Sequence, residues 1–509
     1  MFFPLTIKDF IDRAEATYPD RIAVVDEPMQ PAESWGEVTY KELARRAKAQ
    51  AANLDRLGVP TGGRVAIVSH NSARMLTSFF GVSGYGRILV PINFRLSAAE
   101  IDYILKHSGA TVAMFDPALR DLVAKVGTDH NFILGEDDDK IFGGDADPQP
   151  WDGDEAATAT INYTSGTTAR PKGVQLTHRS LWLNAVVFAL HSSVNEDDVY
   201  LHTLPMFHAN GWGMPYGVTG LGVKHIVIRQ IDGAEILRRV EQHAVTFMCA
   251  APAVVNAVLD AAESWDGEIP GRDRVRIIVA GAPPPTRTIE RVRAELGWDF
   301  QQLYGLTETA PLLTTNRMRY EWADLDAHEQ ARLLGRAGAP AIGVRLSLDV
   351  DGEVLARTNH NLEGYWEQPE ETAAAQAGNW FHTGDGGRIE DEEFLVIADR
   401  KKDVIISGGE NVSSIEVEDV LSSHDAVKEV AVIGIPDEKW GEMVTALVVA
   451  DGSEVTEAEL IAHCRESLAG YKCPKRIEFR DELPRTATGK LQKFKLRQPF
   501  WEGQGRQVN

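Results

Sequence analysis

Length, composition and charge limit what this chain can be. Its 509 residues exceed the size at which a single hydrophobic core keeps growing, so at least two domains are expected. Hydrophobic residues make up 43% and charged residues 25% of the sequence, an ordinary composition for a soluble globular protein. The formal net charge of −23 argues against a broad nucleic-acid-binding surface, because most of the molecule would repel phosphate groups.

The cysteines and the N-terminus indicate an intracellular setting. Cys249, Cys464 and Cys473 are too few and too scattered for a disulfide framework or a zinc ligand set, so reduced thiols are expected. The start MFFPLTIKDF lacks a basic segment followed by a long apolar core, and no apolar run approaches the ~20 residues of a membrane span. We therefore expect a cytoplasmic protein without a signal peptide or an integral membrane segment.

The N-terminal part of the chain alternates helical and strand patterns. Thr39 precedes a segment whose apolar residues recur at helical spacing, and helices are also predicted at residues 73–85 and 98–108. Strands are predicted at residues 64–68, 88–91 and 111–115. This alternation is typical of α/β layering on a largely parallel sheet.

Residues 135–153 are rich in Asp, Gly and Pro and predict a loop. The acidic run Asp137, Asp138 and Asp139 inside it is interpreted as a solvated face and not as a metal site.

A glycine-rich and hydroxyl-rich segment, YTSGTTARPKGV at residues 163–174, follows a predicted strand at residues 157–163. Thr177 is a predicted N-cap for a helix that begins near His178. Such a loop presents backbone N–H groups and hydroxyls to one small volume, and Lys172 adds positive charge. The segment therefore predicts a holder for a polyphosphate.

The same segment is not a Walker loop, because five residues separate Gly166 from Lys172 and Gly173 follows the lysine instead of preceding it. A surface loop of turn-forming residues is the alternative that the segment alone leaves open.

The rest of the chain divides into a continued α/β region and two smaller units. The α/β pattern resumes at residues 226–228, 234–243 and 275–280. Residues 343–398 contain short strands and turns, and a charged run at residues 399–403 then precedes a new strand-turn-helix pattern. We predict an N-terminal domain at residues 1–399, with a β-rich subdomain at about 343–398, and a C-terminal α+β domain at residues 400–509.

Three further motifs carry chemically useful side chains. QLYGLTET at residues 302–309 combines an aromatic ring, a glycine, a hydroxyl and a carboxylate. WFHTGDGG at residues 380–387 places Asp385 between glycines, and PRTATGK at residues 484–490 ends in Lys490. Each motif alone has a plain structural alternative: a strand end, a hairpin turn and a solvated lysine, respectively.

Together with the phosphate loop, these motifs give the chain a clear resemblance to the superfamily of adenylate-forming acyl-CoA synthetases, which includes firefly luciferases and nonribosomal peptide adenylation domains. The resemblance extends from TYKELA at residues 39–44 to LQKFKLR at residues 491–497. It implies an α/β fold: a large N-terminal domain of layered, mainly parallel sheets and helices with a β-rich subdomain, and a small mobile α+β C-terminal domain.

The resemblance also implies a nucleotide site. Tyr304 would lie against adenine, Thr307 would contact the α-phosphate, and Asp385 would hold the ribose together with Arg400. Glu308 and Thr164 would bind Mg²⁺, and Lys490 would stabilise the charge that develops as the carboxylate attacks the α-phosphate. The implied ATP/AMP residues are Thr164, Ser165, Gly166, Thr167, Thr168, Lys172, Gly281, Ala282, Pro283, Gln302, Tyr304, Gly305, Thr307, Asp385, Arg400 and Lys490.

The acyl and coenzyme A sites follow from the same resemblance. The catalytic residues would be Lys490, Glu308, Thr164 and His208. The acyl pocket would be lined by His208, Trp212, Gly213, Gly281 and Gly305. Coenzyme A would bind at Ser407, Gly408, Gly409, Trp440 and Lys475. The C-terminal domain would pivot near Lys402 between two half-reactions.

The implied reaction has two steps. A carboxylate attacks the α-phosphate of ATP and releases pyrophosphate, and a thiol then displaces AMP from the acyl-adenylate. No cysteine of the chain lies in a motif that looks nucleophilic, so the thiol is expected to be coenzyme A. The expected partners are a small carboxylate, ATP, Mg²⁺ and coenzyme A, and homodimers are common among such enzymes. A softer resemblance indicates the branch that activates medium-chain fatty or small aryl and alkyl carboxylates.

Other functions stay open at this stage. The chain could be an acyl-AMP ligase that loads a carrier protein, a luciferase-like oxygenase, or a catalytically silent sensor of acyl groups or nucleotides. Lys172, Glu308 and Lys490 favour an enzyme, because a pure binder would not need all three. Ala169 stands where many members have glycine, so the backbone there lacks glycine's freedom, and we expect activity to be retained.

Overall fold

The structure, a computed structural model, describes residues 2–164, 171–390, 393–400, 403–437, 439–486 and 491–502. Its strands are β1 (Ile22–Val25), β2 (Glu37–Thr39), β3 (Arg64–Val68), β4 (Ile88–Ile92), β5 (Val112–Phe115), β6 (His130–Ile133), β7 (Thr158–Thr164), β8 (Lys172–Thr177), β9 (Val199–His202), β10 (Lys224–Val227), β11 (Phe247–Ala250), β12 (Arg276–Val279), β13 (Asp299–Gly305), β14 (Leu312–Arg317), β15 (Ala339–Pro340), β16 (Arg345–Leu348), β17 (Glu353–Arg357), β18 (Gly364–Tyr365), β19 (Phe381–Glu390), β20 (Phe394–Arg400), β21 (Ile405–Ser407), β22 (Glu410–Val412), β23 (Val427–Asp437), β24 (Gly441–Ala450) and β25 (Arg476–Phe479).

The α-helices of the same ranges are α1 (Lys8–Thr17), α2 (Tyr40–Arg56), α3 (Ala73–Gly81), α4 (Ala98–Ser108), α5 (Arg120–Val123), α6 (Asp138–Ile141), α7 (His178–His191), α8 (Met214–Gly220), α9 (Gly233–His243), α10 (Pro252–Ala262), α11 (Thr286–Arg291), α12 (Ala327–Leu334), α13 (Pro369–Ala375), α14 (Ser414–Ser422), α15 (Glu457–Ser467) and α16 (Lys493–Trp501).

Two large sheets organise the N-terminal domain. The first has the strand order β15-β14-β13-β12-β11-β9-β10-β1-β2, and its strands from β13 to β1 run parallel. The second has the order β18-β8-β7-β4-β3-β5-β6, and its strands from β7 to β6 run parallel. The predicted α/β fold with mainly parallel sheets is confirmed.

Helices cover both faces of each sheet, which explains why inner parallel strands such as β4 and β5 are apolar throughout. In β3, Val65 and Ile67 face a core shared with α1, α2 and α3, whereas Ala66 and Val68 face α4 on the other side. This alternation follows from the two-residue period of a strand. A further core packs α9, α10 and α12 on the outer face of the first sheet.

The remaining described chain forms two smaller sheets. Strands β16, β17, β19 and β20 make an antiparallel sheet in the predicted β-rich region. Strands β21 to β25 make a five-stranded sheet, with α14 and α15 on one face and α16 on the other. The β20 strand ends at the predicted boundary at residues 399–400, and that division of domains stays a prediction.

Several local predictions agree with the observed elements. Thr177 caps α7, as predicted, by accepting the backbone N–H of Ser180, and the predicted helix after Thr39 is α2, which Thr39 caps by accepting the backbone N–H of Glu42. The prediction for residues 135–153 was wrong at Asp138, which begins α6. The Asp138 carboxylate forms an ion pair at 2.6 Å with buried Arg74, so it anchors the core and does not lie on a solvated face.

Candidate active site

A cleft of about 2510 Å³ lies at the carboxyl ends of parallel strands from both large sheets. It is lined by Thr164 at the end of β7, Ala251 after β11, Gly281 after β12 and Gly305 at the end of β13. Ligands of open α/β sheets bind at such edges, because the loops that follow parallel strands meet there. The fold thus brings distant segments of the sequence into one site.

Most of the predicted nucleotide-site residues line this cleft. They are Thr164, Lys172, Gly281, Ala282, Pro283, Gln302, Tyr304, Gly305, Thr307 and Asp385, and the cleft is also lined by Glu308, predicted to bind Mg²⁺, and by His208, predicted for the acyl pocket. Arg400 lies directly across the β19–β20 pair from Asp385. The predictions for Ser165, Gly166, Thr167, Thr168, Ala169, Lys402 and Lys490 concern positions outside the described residues.

The predicted phosphate loop connects two antiparallel strands. Thr164 at the end of β7 pairs with Lys172 at the start of β8, so both ends of the loop lie at the cleft. The Lys172 ammonium stands 5.0 Å from the centroid of the Tyr365 ring, within the range of a cation–π contact. A positive charge is therefore held beside the predicted polyphosphate position.

The Glu308 carboxylate is oriented by a neighbouring phenol. The Tyr365 hydroxyl donates to Glu308 Oε1 at 3.0 Å. Burial, together with the charge of Glu308, raises the pKa of Tyr365, so this hydroxyl keeps its proton. Carboxylate and hydroxyl oxygens are ligands that Mg²⁺ prefers, and Glu308 and Thr164 supply both kinds at the cleft. The residues present thus fit Mg²⁺.

A second hydrogen-bonded pair joins two of the predicted motifs. The Tyr304 hydroxyl donates to Asp385 Oδ2 at 2.9 Å, and Asp385 is buried at the cleft wall. The turn before Asp385 is fixed by the Gly384 N–H, which donates to Glu353 Oε1 at 2.8 Å. A fixed ring beside a fixed carboxylate suits a nucleoside, with the base against the ring and ribose hydroxyls near the carboxylate.

Gly305 is required by a close approach of the backbone. A Cβ atom at this position would lie 1.6 Å from the carbonyl oxygen of Pro311, which no side chain tolerates. The β13–β14 ladder shifts its register at the same place, between Tyr304 and Gly305. The glycine therefore lets the strand turn sharply and present Thr307 and Glu308 to the cleft.

His208 immediately precedes an unusual left-handed turn. Ala209, Asn210, Gly211, Trp212 and Gly213 all have positive φ, between 43° and 82°. Non-glycine residues adopt this conformation at an energetic cost, which is typically found where the surroundings hold a functional site in place.

Buried amides hold this turn. Asn210 donates to Thr160 Oγ1 and accepts from Asn162 Nδ2, both at 3.0 Å, so the turn is bonded to the strand that leads into the phosphate loop. Asn184 donates to the carbonyl oxygen of Trp212 at 3.2 Å. The sequence analysis missed these three asparagines and Tyr365; the Asn-Gly pair at residues 210–211 was the one available signal for a left-handed backbone.

Two predicted acyl-site residues lie behind the cleft wall. Trp212 packs in a buried cluster with Leu204 and Leu303, and Gly213 faces Asn184, whose Nδ2 would be 2.4 Å from an added Cβ. Neither residue is among those that line the cleft. Trp212 and Gly213 belong to the left-handed turn itself, and their packing on the side away from the cleft supports the wall that contains His208 and Ala209.

The predicted coenzyme A residues all belong to the C-terminal domain, and none of them lines the cleft. Gly408 and Gly409, both with positive φ, form the tight turn between β21 and β22 after Ser407. An added Cβ on Gly408 would lie 3.0 Å from the Trp440 ring, so these two residues are in contact. Lys475 donates from Nζ to the carbonyl oxygen of Gly470 at 2.5 Å.

The fold and the cleft define a class: an enzyme that activates carboxylates with a nucleotide. A sequence profile of the AMP-binding enzyme family matches residues 11–366, and the profile of the AMP-binding enzyme C-terminal domain matches residues 416–490. The chain belongs to this family.

Similar proteins agree with this assignment. The chain is 38% identical to 4-hydroxybutyrate–CoA ligase 2 from Metallosphaera sedula, over 96% of this chain and 93% of the relative. It is 36% identical to 2-methylpropanoate–CoA ligase CCL4 from Humulus lupulus, over 97% and 95%. The crystal structure of ATP-bound MatB from Rhodopseudomonas palustris superposes with a TM-score of 0.84 at 28% identity, over 97% and 99%.

The protein is thus an AMP-forming acyl-CoA synthetase. It adenylates a carboxylate with ATP and transfers the acyl group to coenzyme A, and it uses Mg²⁺. The relatives are CoA ligases, which favours coenzyme A over a carrier protein as the acceptor and an enzyme over a silent sensor. Among the described residues, no helix is long and apolar enough to cross a membrane.

Proposed function

We propose that the acyl substrate is a small alkyl carboxylate. The two relatives named above act on 4-hydroxybutyrate and 2-methylpropanoate, both short acids. The structural observation that supports this proposal is the cleft wall formed by Phe207, His208 and Ala209. The left-handed turn fixes this wall, and Trp212 packs behind it. A rigid wall limits the depth of an acyl pocket, because it does not yield to longer chains. Medium-chain and aryl acids are the alternatives to be tested.

In the first step, a carboxylate oxygen bonds to the α-phosphorus while the bond to pyrophosphate breaks. Lys172 and the loop that it closes would hold the departing pyrophosphate, and Thr307 would contact the α-phosphate. Tyr304 and Asp385 would fix the nucleoside, which keeps the α-phosphorus in line with the incoming oxygen. Bound Mg²⁺ supplies charge neutralisation, and Glu308, oriented by Tyr365, would hold it with Thr164.

In the second step, the thiolate of coenzyme A attacks the acyl carbonyl carbon and AMP departs with the bond electrons. The Gly408-Gly409 turn beside Trp440 lies away from the cleft in this structure. We propose that rotation near Lys402 exchanges the Lys490 segment for this turn. Glycines without side chains would leave room for the narrow pantetheine arm.

The decisive experiment is a carboxylate panel with the full-length enzyme: 4-hydroxybutyrate, 2-methylpropanoate, octanoate and benzoate. Pyrophosphate release reports the first step and loss of free thiol reports the second. We expect the two four-carbon acids to give the highest kcat/KM. A preference for octanoate or benzoate would contradict the small-alkyl assignment.

The Lys490→Ala variant tests which of the two steps depends on Lys490. We expect this variant to lose adenylation by at least a hundredfold, about the scale of removing one charge-stabilising group from an active site. It should retain most of its rate of thioester formation from preformed acyl-AMP. Equal loss of both steps would remove the role assigned to Lys490.

We also propose a cytoplasmic location and a homodimer. Cys249, Cys464 and Cys473 are all buried free thiols, which supports a reducing compartment. One relative is named as peroxisomal, so organelle fractionation is the appropriate test of location. Light scattering at micromolar concentration tests the dimer, and a mass near 56.0 kDa would exclude it.

A further inference from the structure

Helix α14 of the C-terminal domain forms hydrogen bonds with the N-terminal domain at two places. At its first residue, Ser414 donates to Asp399 Oδ2 through its backbone N–H at 3.0 Å and through its hydroxyl at 2.5 Å. Further along the helix, Asp419 Oδ1 accepts the backbone N–H of Thr286 at 2.9 Å, and Oδ2 accepts the Thr286 hydroxyl at 3.2 Å.

The two contacts differ in the sequence separation of the residues that they join. Asp399 and Ser414 are only 15 residues apart, on either side of the predicted pivot, so this contact spans a short segment. Asp419 and Thr286 are 133 residues apart and belong to different domains. A rotation of the C-terminal domain that carries α14 away from α11 would therefore break the second contact.

Asp419 completes a helix that lacks its own cap. Thr286 is the first residue of α11, and the preceding residue, Pro285, makes no side-chain capping bond. The first N–H groups of a helix have no partner within it, and a carboxylate is a favourable acceptor for them. Here the acceptor comes from another domain, so the Thr286 N–H keeps this carboxylate partner only while α14 is docked.

The cap lies next to the predicted nucleotide site. Thr286 follows the run from Gly281 to Pro285, and this whole run lines the cleft. In the same docked arrangement Arg485, Thr486 and Leu491, which flank the segment containing Lys490, also line the cleft. The Gly408-Gly409 turn does not. The docked contact thus accompanies the arrangement suited to the first step.

A neighbouring ion pair provides a contrast. Arg287, the residue after Thr286, pairs with Asp425 at 2.8 Å, but the Asp425 side chain is 96% exposed. Exposed ion pairs contribute little to a protein's stability, because water and salt screen them. Asp419 is half-buried and accepts two hydrogen bonds, so its contact is stronger than the Arg287–Asp425 pair.

We propose that Asp419 is a positioning residue for adenylation: by capping α11 it holds the C-terminal domain in the arrangement in which Arg485, Thr486 and Leu491 line the cleft. The inference rests on the proposed two-step function with Lys490 in the first step. Removal of the carboxylate lowers the fraction of enzyme in the docked arrangement and leaves the chemistry of the second step intact.

The test uses the full-length enzyme and its Asp419→Ala, Asp419→Asn and Asp425→Ala variants. Single-turnover pyrophosphate release with 2-methylpropanoate measures the first step, and thioester formation from 2-methylpropanoyl-AMP and coenzyme A measures the second. We expect Asp419→Ala to slow the first step about tenfold, the scale of one charge-assisted hydrogen bond, and to leave the second within twofold. Asp425→Ala should stay within twofold in both.

Asp419→Asn separates positioning from a folding defect, since it retains the side-chain volume and one acceptor. It should slow adenylation by an intermediate factor at an unchanged melting temperature. Equal slowing of both steps, or an effect of Asp425→Ala as large as that of Asp419→Ala, would overturn the inference. A wild-type enzyme that releases no pyrophosphate with any acid of the panel would instead refute the proposed function.

Discussion

Two tyrosine hydroxyl groups orient the carboxylates that are predicted to bind the metal and the ribose. The Tyr365 phenol donates to Glu308, and the Tyr304 phenol donates to Asp385. Because a donated hydrogen bond fixes the rotation of a carboxylate, each phenol decides which oxygen faces the cleft. Tyr365 is not part of any motif identified in the sequence analysis, yet it controls the predicted metal ligand.

Tyr365→Phe removes this donor without changing the shape of the side chain. We expect the Mg²⁺ concentration for half-maximal pyrophosphate release to rise about tenfold, since a hydrogen bond to a charged group contributes about 1.5–3 kcal/mol. Mn²⁺ binding in the presence of a non-hydrolysable ATP analogue, followed by electron paramagnetic resonance, should weaken in parallel. Tyr320→Phe is the matched control, because Tyr320 is 92% exposed; an equal effect in both variants would contradict the role of Tyr365.

Among the elements, the left-handed turn at residues 209–213 departs most from what its residue types prefer. Ala209, Asn210 and Trp212 adopt a backbone that costs roughly 1–2 kcal/mol per residue. The buried amide network of Asn162, Asn184 and Asn210 offsets this cost. The turn also connects β7, which leads into the phosphate loop, with the wall that carries His208.

Asn210→Ala should release this turn. Its side chain makes two buried hydrogen bonds, and their loss leaves Asn162 Nδ2 with a 3.4 Å bond to the Phe207 carbonyl oxygen and deprives Thr160 Oγ1 of the donor that it accepts. We expect a loss of about 2 kcal/mol in stability, read from the shift of the denaturation midpoint, and a raised KM for the carboxylate with little change in the KM for ATP. Asn379→Ala is the control, because exposed Asn379 also has positive φ and reports the backbone cost alone. A similar loss of stability in both variants would show that the amide network does not stabilise the turn.

Across the whole molecule, folding buries several histidines in their neutral form. Burial lowers the pKa of His178 to about 3, of His225 to about 3 and of His360 to about 4. The unfolded chain would bind protons at these residues below about pH 6.5, while the folded chain would not. Acid therefore favours the unfolded state over the window between pH 6.5 and the lowered pKa values.

The stability of the enzyme should consequently fall as the pH is lowered from 6.5. Each of these three histidines contributes about 1 kcal/mol of loss between pH 6.5 and 5.5. Denaturation midpoints at pH 7.5, 6.5 and 5.5 measure the slope. His360→Gln should flatten it relative to the His328→Gln control, in which an exposed histidine is replaced. A midpoint that does not change between pH 7.5 and 5.5 would contradict this account.

The local features of the fold were predictable wherever neighbouring residues decide the structure. The cap at Thr177, the helix that follows Thr39 and the strand at residues 64–68 were predicted from residue types and periodicity. Asp138 was not, because its partner Arg74 is 64 residues away and nothing in the acidic run reveals it. The supporting asparagines and Tyr365 were missed for the same reason.

The sequence by itself determined the α/β class, the four motifs and their implied chemistry, because each motif is a short run whose residue types limit what it can bind. Only the tertiary structure decided which residues share the cleft, that Trp212 and Gly213 stand behind its wall, and that Asp419 caps a helix of another domain. These facts depend on contacts between residues far apart in the chain. Such contacts are set by the packing of whole elements, which no local pattern records.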